Sequence, residues 1–404
     1  MKRRLITVAV TATTMALLAG CGGGGSAGGG SDQEPYRVLV TGGLSAQGVL
    51  AANAATAVLA TQAGVEDVNA KGGIGGRRVE LTVVDDAGDA TQAVTKLREA
   101  IASDAKPDLF LNSGPSTIST ATLPILTQNQ ILSFNIAPTK DSADPARFPL
   151  NFDLSPSPQD QIKGFVAEAK QRGYTSIGVI HGSSAYGETF GPAVESAMSE
   201  AGITVVGNEE YDVAALDMTP QLQALQSRQP QAVVVDGYGA PVGYLLQSME
   251  RLGWDVPLLG NVSVAATSLV STDPPAGVLG TPQAANLTME VYQSTSHDPG
   301  AARVNEMVAT MRRLGEIQAA LIVAYNYDGL FLAAAAAQDA GSTDAEAMAR
   351  SMVKPQVQQA ANTAVLNRYN FSDTSHSPNA DPGNFLFISP SRIQDGQFGN
   401  GAGA

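Results

Sequence analysis

Tyr36-Arg37-Val38-Leu39-Val40-Thr41-Gly42-Gly43-Leu44-Ser45-Ala46-Gln47-Gly48 runs from a β-branched strand through a glycine-rich turn into an alanine-rich stretch of helical length that lasts to Val68. The same order then returns. Val79-Glu80-Leu81-Thr82-Val83-Val84 precedes a helical pattern over 91–102, Asp108-Leu109-Phe110-Leu111 precedes one from about Ser116, and Ile131-Leu132-Ser133-Phe134 follows it. Short apolar strands alternating with amphipathic helices are βαβ units, which pack as a parallel sheet covered by helices. Four strands and three helices make one lobe.

A second series opens after Pro156 and Pro158. Ile162, Phe165, Val166 and Ala169 lie at i, i+3, i+4 and i+7, one stripe of a helix that ends at Gly173. Strands are expected at 177–180, 203–206, 232–235 and 256–259, with helices over 188–201, 219–227 and 241–252 between them. Ala232-Val233-Val234-Val235 carries no charge and reads as a strand buried on both faces. The expected fold class is therefore α/β, with two doubly wound parallel-sheet lobes. Residues 286–339 hold two long helical patterns and little strand character, and are expected to pack on one of the lobes. The polar tail from Asn367 contains one apolar run, Phe385-Leu386-Phe387-Ile388, which reads as a hairpin strand. Residues 399–404 are expected to be a disordered tail.

The other end of the chain reads as an address. Lys2, Arg3 and Arg4 precede an apolar run over 5–19 and then Leu17-Leu18-Ala19-Gly20-Cys21. That order is a signal peptide (residues 1–20) ending in a lipobox, and the run is shorter than the roughly twenty residues a membrane-spanning helix needs. Cys21 is the only cysteine. As the lipid attachment point it leaves no partner for a disulfide, so the fold rests on its apolar cores. Residues 21–35 are glycine-rich and read as a flexible tether.

Removal of the leader leaves 21 basic against 38 acidic residues, a formal charge of −17. Such a surface repels nucleic acid and anionic headgroups. The expected contact with the membrane is through the lipid on Cys21 alone, and no nucleic-acid partner is expected.

Ligands of open α/β sheets bind beyond the carboxyl ends of the strands, so the loops that follow strands hold the candidates. The loop with Ser45 half matches a phosphate-binding loop, but Val49 stands where lysine is required. Gly72-Gly73-Ile74-Gly75-Gly76 falls between a helix and a strand, the wrong order for a dinucleotide site, and reads as a helix stop and turn. Gly114-Pro115-Ser116 begins like a nucleophile elbow, yet Ile118 occupies the second glycine position. His181, His297 and His376 show no metal-ligand spacing and read as surface or turn residues. No cofactor is called for. Ser116 and Thr117 offer hydroxyls and backbone N–H groups at a helix start, suited to a carboxylate or to simple capping. Thr139, after the neighbouring strand, adds a second hydroxyl. From the second lobe the candidates are Tyr186 and Tyr238, each beside glycines that leave room for a ligand.

Asn69-Ala70-Lys71-Gly72-Gly73-Ile74-Gly75-Gly76, followed by a strand and Asp85-Asp86, then Ala185-Tyr186-Gly187 and Tyr325-Asn326-Tyr327-Asp328, together resemble the leucine/isoleucine/valine-binding proteins, type I periplasmic binding proteins of ABC importers. The resemblance runs over about residues 38–387. It implies that Ser116, Ala137 and Thr139 hold the α-carboxylate of a ligand and that Tyr186 and Tyr238 face it. It also implies three hinge crossings, near 154–156, 281–283 and 366–371, dividing the chain into a first lobe of 36–154 plus 283–366 and a second of 156–281 plus 370–398. One departure matters. Where amino-acid-binding members carry a carboxylate for the ligand ammonium, this chain has Val262, and a second acidic position falls at Pro158. Asp160 or Asn261 stands close enough in sequence to take the role. An enclosed ammonium without a partner costs several kcal/mol, so the matched half of the site suits an amine-free carboxylate, a neutral amide or an aromatic acid.

The reading is thus a lipid-anchored, extracytoplasmic solute-binding protein that is a monomer, catalyses no reaction and serves an ABC permease and its ATPase subunits. The alternatives are a sensing receptor lipoprotein of the same fold and, more remotely, an esterase using Ser116.

Overall fold

The computed structural model describes residues 33–380 and 382–399; the expected leader, Cys21, most of the expected tether and residues 400–404 lie outside the described residues. The first lobe is built on β1 (Tyr36–Gly42), α1 (Val49–Ala70), β2 (Val79–Asp85), α2 (Ala90–Ala102), β3 (Leu109–Asn112), α3 (Ser116–Gln128), β4 (Leu132–Asn135) and β5 (Asn151–Asp153). Its five strands are all parallel, in the order β2-β1-β3-β4-β5. Every residue of β3 and β4 is buried, as strands covered on both faces must be. The fifth strand, three residues long, is too short to leave a periodic signal in the sequence. After α1 the chain turns through Gly72, Gly73, Gly75 and Gly76, all at positive φ, where the sequence places a helix stop.

The second lobe contains α4 (Pro158–Gln171), β6 (Ser176–Gly182), α5 (Gly187–Glu200), β7 (Thr204–Tyr211), α6 (Thr219–Ser227), β8 (Ala232–Val235), α7 (Ala240–Leu252), β9 (Leu258–Gly260), α8 (Val262–Ala265), α9 (Pro282–Ala285) and β10 (Leu287–Tyr292). Four helices follow, α10 (Ala302–Leu314), α11 (Asn326–Ala340), α12 (Ala345–Met352) and α13 (Pro355–Ala360), then β11 (Phe385–Ile388) and the small hairpin β12 (Ile393–Gln394) and β13 (Gln397–Phe398). The second sheet has the order β7-β6-β8-β9-β10-β11, parallel except for the edge strand β11. Its first five positions repeat the strand order of the first sheet. Two α/β lobes of one topology are the fold class the alternation predicts.

The strand pairings move two of the expected crossings. Leu287–Tyr292 pairs with β9 in the second sheet, so the chain leaves that lobe after Tyr292 rather than at 281–283. The strand is hidden in the sequence because Thr288 and Glu290 interrupt its apolar run, and Glu290 is buried nonetheless. Helices α10 and α11 then return to the first lobe and pack along α1. Gly64 permits the close approach, since a Cβ there would lie 2.8 Å from Leu330 Cδ1.

The last crossing falls later than 366–371. Phe371 packs edge-on against Phe152 of β5 with ring centroids 5.0 Å apart, and His376 stacks on the same ring at 3.9 Å. Asp153 N donates to His376 O. The chain reaches the second lobe only where Ser377 Oγ accepts from Ser157 N and Asn379 Oδ1 accepts from Lys163 Nζ of α4. Burial of aromatic rings on Phe152 holds this segment to the first lobe.

Candidate functional site

The two sheets turn their carboxyl ends toward each other. Asn53, in the first turns of α1 beyond β1, donates from Nδ2 to the Tyr238 hydroxyl at 3.0 Å and to Ala266 O at 2.8 Å, both in loops beyond strands of the second lobe. Gly239 lies against Val49 and Leu50. The carboxyl edges that hold ligands in open α/β sheets are therefore the walls of the interlobe cleft.

On the first wall, β3, β4 and β5 end in Asn112, Asn135 and Asp153, aligned by register. Asn112 Nδ2 donates to Ser119 Oγ at 2.7 Å, Ser119 Oγ to Asn135 Oδ1 at 2.6 Å, and Asn135 Nδ2 to Asp153 Oδ1 at 2.9 Å. Asn135 also holds the 137 peptide from both ends, accepting from Ala137 N and donating to Ala137 O. Ser142 Oγ donates to Asp153 Oδ2 at 2.6 Å and accepts from Thr139 N. Burial pushes the Asp153 carboxyl up to about 6, against the pull of Ser142, Asn135 and Asn151.

This buried network fixes the candidates predicted here. Ser116 is the first residue of α3, buried, and makes no capping bond; the cap position is Pro115, whose ring carries no hydrogen-bonding group. Capping by Ser116 is thus excluded and its hydroxyl is left for another use. Ala137 and Thr139 are half-buried on the adjacent loop, with Ser119 Oγ tying the first turns of α3 to Ala137 O at 3.1 Å. Thr117 is exposed. Ser45 is also exposed, and its hydroxyl and N–H both bond Asp85, whose carboxyl they hold below the usual range. It braces its own turn.

On the second wall, Tyr238 is half-buried where Asn53 reaches it. Tyr186 lies deeper. Its ring stacks on Phe190 and its hydroxyl donates to Gln161 Oε1 at 2.7 Å. Burial raises that hydroxyl well above the ordinary tyrosine range. Asn261 caps α8 through Val264 N and donates to Asp236 Oδ1 at 2.7 Å, so both ends of its amide are engaged; Val262 is buried beside it. Asp160 is engaged as well, by Ser157 and by Lys163 Nζ at 2.6 Å. Neither alternative therefore stands free to meet a ligand amine.

Sequence reasoning passed over the network behind the site. Asn112, Asn135 and Asp153 close consecutive strands of the first lobe, and a polar residue at equivalent strand ends is the signal that points to it. His181 and His376 are buried rather than at the surface, His181 beneath Gly191 of α5 and His376 on Phe152. A polar groove of about 340 Å³ between Lys106, Gln130 and Asp344 lies at the amino ends of β3 and β4, the edge opposite the cleft. Among the described residues no three His, Cys, Asp or Glu side chains group as metal ligands, and no helix is long and apolar enough to cross a membrane.

Comparison with known proteins agrees with this architecture. A family model described as periplasmic binding protein matches residues 39–382. A Leu/Ile/Val-binding protein of Rhizobium johnstonii is 24% identical over 269 residues, 65% of this chain and 70% of the relative. A type 1 periplasmic binding protein of Bordetella pertussis Tohama I superposes with a TM-score of 0.74 at 19% identity, over 88% of this chain and 96% of that one. A solute-binding protein of an ABC transporter from Rhodopseudomonas palustris BisB5, in complex with 3,4-dihydroxybenzoic acid, gives 0.63 at 18% identity, over 78% and 84%.

Proposed function

The chain belongs to the periplasmic binding protein family, an extracytoplasmic family, and on that premise we propose that it captures a small carboxylate- or amide-bearing solute in the interlobe cleft and delivers it to an ABC permease and its ATPase subunits. One observation carries the reading: Ser116, at a helix start where no side chain caps, lies one turn before Ser119, which with Asn135 and Ser142 holds the 137–139 loop in place. Preset N–H and O–H groups at a helix N-terminus suit a carboxylate. Tyr186 and Tyr238 close the opposite side, Tyr238 by its ring, since Asn53 engages its hydroxyl. Closure of the lobes about their crossings converts binding into a shape that the permease reads. The relatives bearing binding-protein names support capture over catalysis, and the lipobox at Cys21 supports attachment to the cell membrane by lipid.

The test is a thermal-shift screen of the protein against carboxylates, amides and aromatic acids, repeated with Ser116→Ala and Thr139→Ala combined. Stabilisation that disappears in the double variant is the expected result. Equal stabilisation of both proteins moves the site elsewhere.

A further inference from the structure

Glu290 on β10 is fully buried, and neither of its carboxylate oxygens has a hydrogen-bond partner among the described residues. Register shows where it stands. Met289 pairs with Gly260, Gly260 with Val235, and Val235 with Ile180. The next residue on each strand is therefore His181, Asp236, Asn261 or Glu290, a polar row across four neighbouring strands at the carboxyl edge of the second sheet. One step back on the same face lie Val234 and Leu259, in the apolar cluster under α4 and α5. Folding alone would continue that cluster.

Three members of the row have partners. Asp236 accepts from Asn261 Nδ2 at 2.7 Å and from Gly182 N at 3.3 Å, and His181 Nδ1 meets Gly182 O. Glu290 has none. Above it stands Gly164 of α4, where a Cβ would collide with Oε1, so the helix leaves space for the carboxylate and supplies no donor. Three tyrosines, Tyr186, Tyr292 and Tyr325, lie within its electrostatic reach. The Tyr292 ring packs edge-on against Tyr325 with centroids 5.8 Å apart, and Tyr325 donates to Ser155 Oγ in the first crossing at 3.4 Å. The acid thus lies under α4, in the strand-end row that borders the cleft, with the first and second crossings nearby at Ser155 and Tyr292.

A buried carboxylate without a donor is unfavourable in either form, for the ionised group lacks a counter-charge and the protonated group an acceptor. Burial raises the Glu290 carboxyl well above the ordinary carboxylate range, and a partner from outside the chain would relieve either form. We propose that Glu290 is a specificity-determining residue of the cleft that pairs with a cationic nitrogen of the ligand, supplying from β10 the charge that Val262 cannot. The inference rests on the cleft being the solute site and adds a second charged end to that solute.

The experiment compares carboxylates in matched pairs, with and without an amine: leucine against 4-methylpentanoate, phenylalanine against 3-phenylpropanoate, 4-aminobutyrate against butyrate. Each is titrated calorimetrically into the wild type, Glu290→Gln and the Ser116→Ala, Thr139→Ala double variant. Glutamine keeps the shape and the uncharged state that burial favours, so E290Q is expected to melt close to the wild type. The inference predicts that at least one amine-bearing member binds more tightly than its partner, and that E290Q weakens that member by more than about a hundredfold. Amine-free members binding as well as their partners, or E290Q leaving the preference intact, overturns it while the carboxylate site stands. No binding by any pair overturns both readings, and binding that survives the double variant overturns the carboxylate site alone.

Discussion

Asn53 Nδ2 lies 3.0 Å from the hydroxyl of Tyr238, joining the first helix of one lobe to a strand-end loop of the other. The same amide group reaches Ala266 O, while Asn53 Oδ1 is buried without a donor. Two hydrogen bonds thus span the cleft without help from a ligand, and they draw the lobes together before capture.

Asn53→Ala removes both. At about 1 kcal/mol net for each bond, the balance between closed and open forms shifts by roughly thirtyfold toward open. Solution scattering of the ligand-free variant is expected to give a larger radius of gyration than the wild type. Superimposable curves would show that the contact does not govern closure.

Asp328 is fully buried in α11 and accepts from Ala364 N, Val365 N, Leu366 N and the Tyr369 hydroxyl, all within 3.1 Å. It is the anchor of the segment that follows α13. Asp328→Asn turns an acceptor-only group into one whose NH₂ faces those donors, and about 2–4 kcal/mol of stability is expected to be lost. Urea unfolding measures it, and a change below about 0.5 kcal/mol would contradict the bonding described.

Burial raises the Asp153 carboxyl from 3.8 to about 6. Because the folded protein holds this proton more tightly than the unfolded chain, the group contributes stability that is fully present below about pH 4 and lost as pH rises through about 6. The contribution is roughly 3 kcal/mol. Asp153→Asn removes the titration, so the stability difference between wild type and variant is expected to change across pH 4–6 and to be level above that window. A difference that is constant across the window would show that Asp153 does not titrate there.

Gly191→Ala sets helix propensity against packing. Alanine is the better helix former by about 1 kcal/mol, but a Cβ at 191 would collide with the imidazole of His181, which is itself held in the sheet. Overpacking of this kind costs about 1–3 kcal/mol. The variant is expected to melt below the wild type. A raised melting temperature would mean that His181 moves freely.

Both lobes were legible because a doubly wound sheet writes itself locally, as an apolar run, a turn and an amphipathic helix, and Ala232–Val235 or Leu109–Asn112 needs no distant partner to be recognised. Leu287–Tyr292 was not, for the opposite reason: its membership of the second sheet depends on β9, and Glu290 inside it reads as solvent-facing. The candidate loops were likewise legible from the rule that ligands lie beyond strand ends. The division of labour within them was not. Ser45 and Asn261 carry the right polar groups in the right loops, yet those groups bond Asp85 and Asp236.

The order of residues along the chain determined the class of fold, the two-lobe plan and the excess of acidic residues, since each follows from short-range pattern or composition. Tertiary structure alone decided where the chain changes lobes, that Asn53 bridges the cleft, and that Glu290 is left without a partner. Those outcomes depend on which side chains meet across hundreds of residues, and a hydrogen bond made or missing at that range has no trace in local sequence.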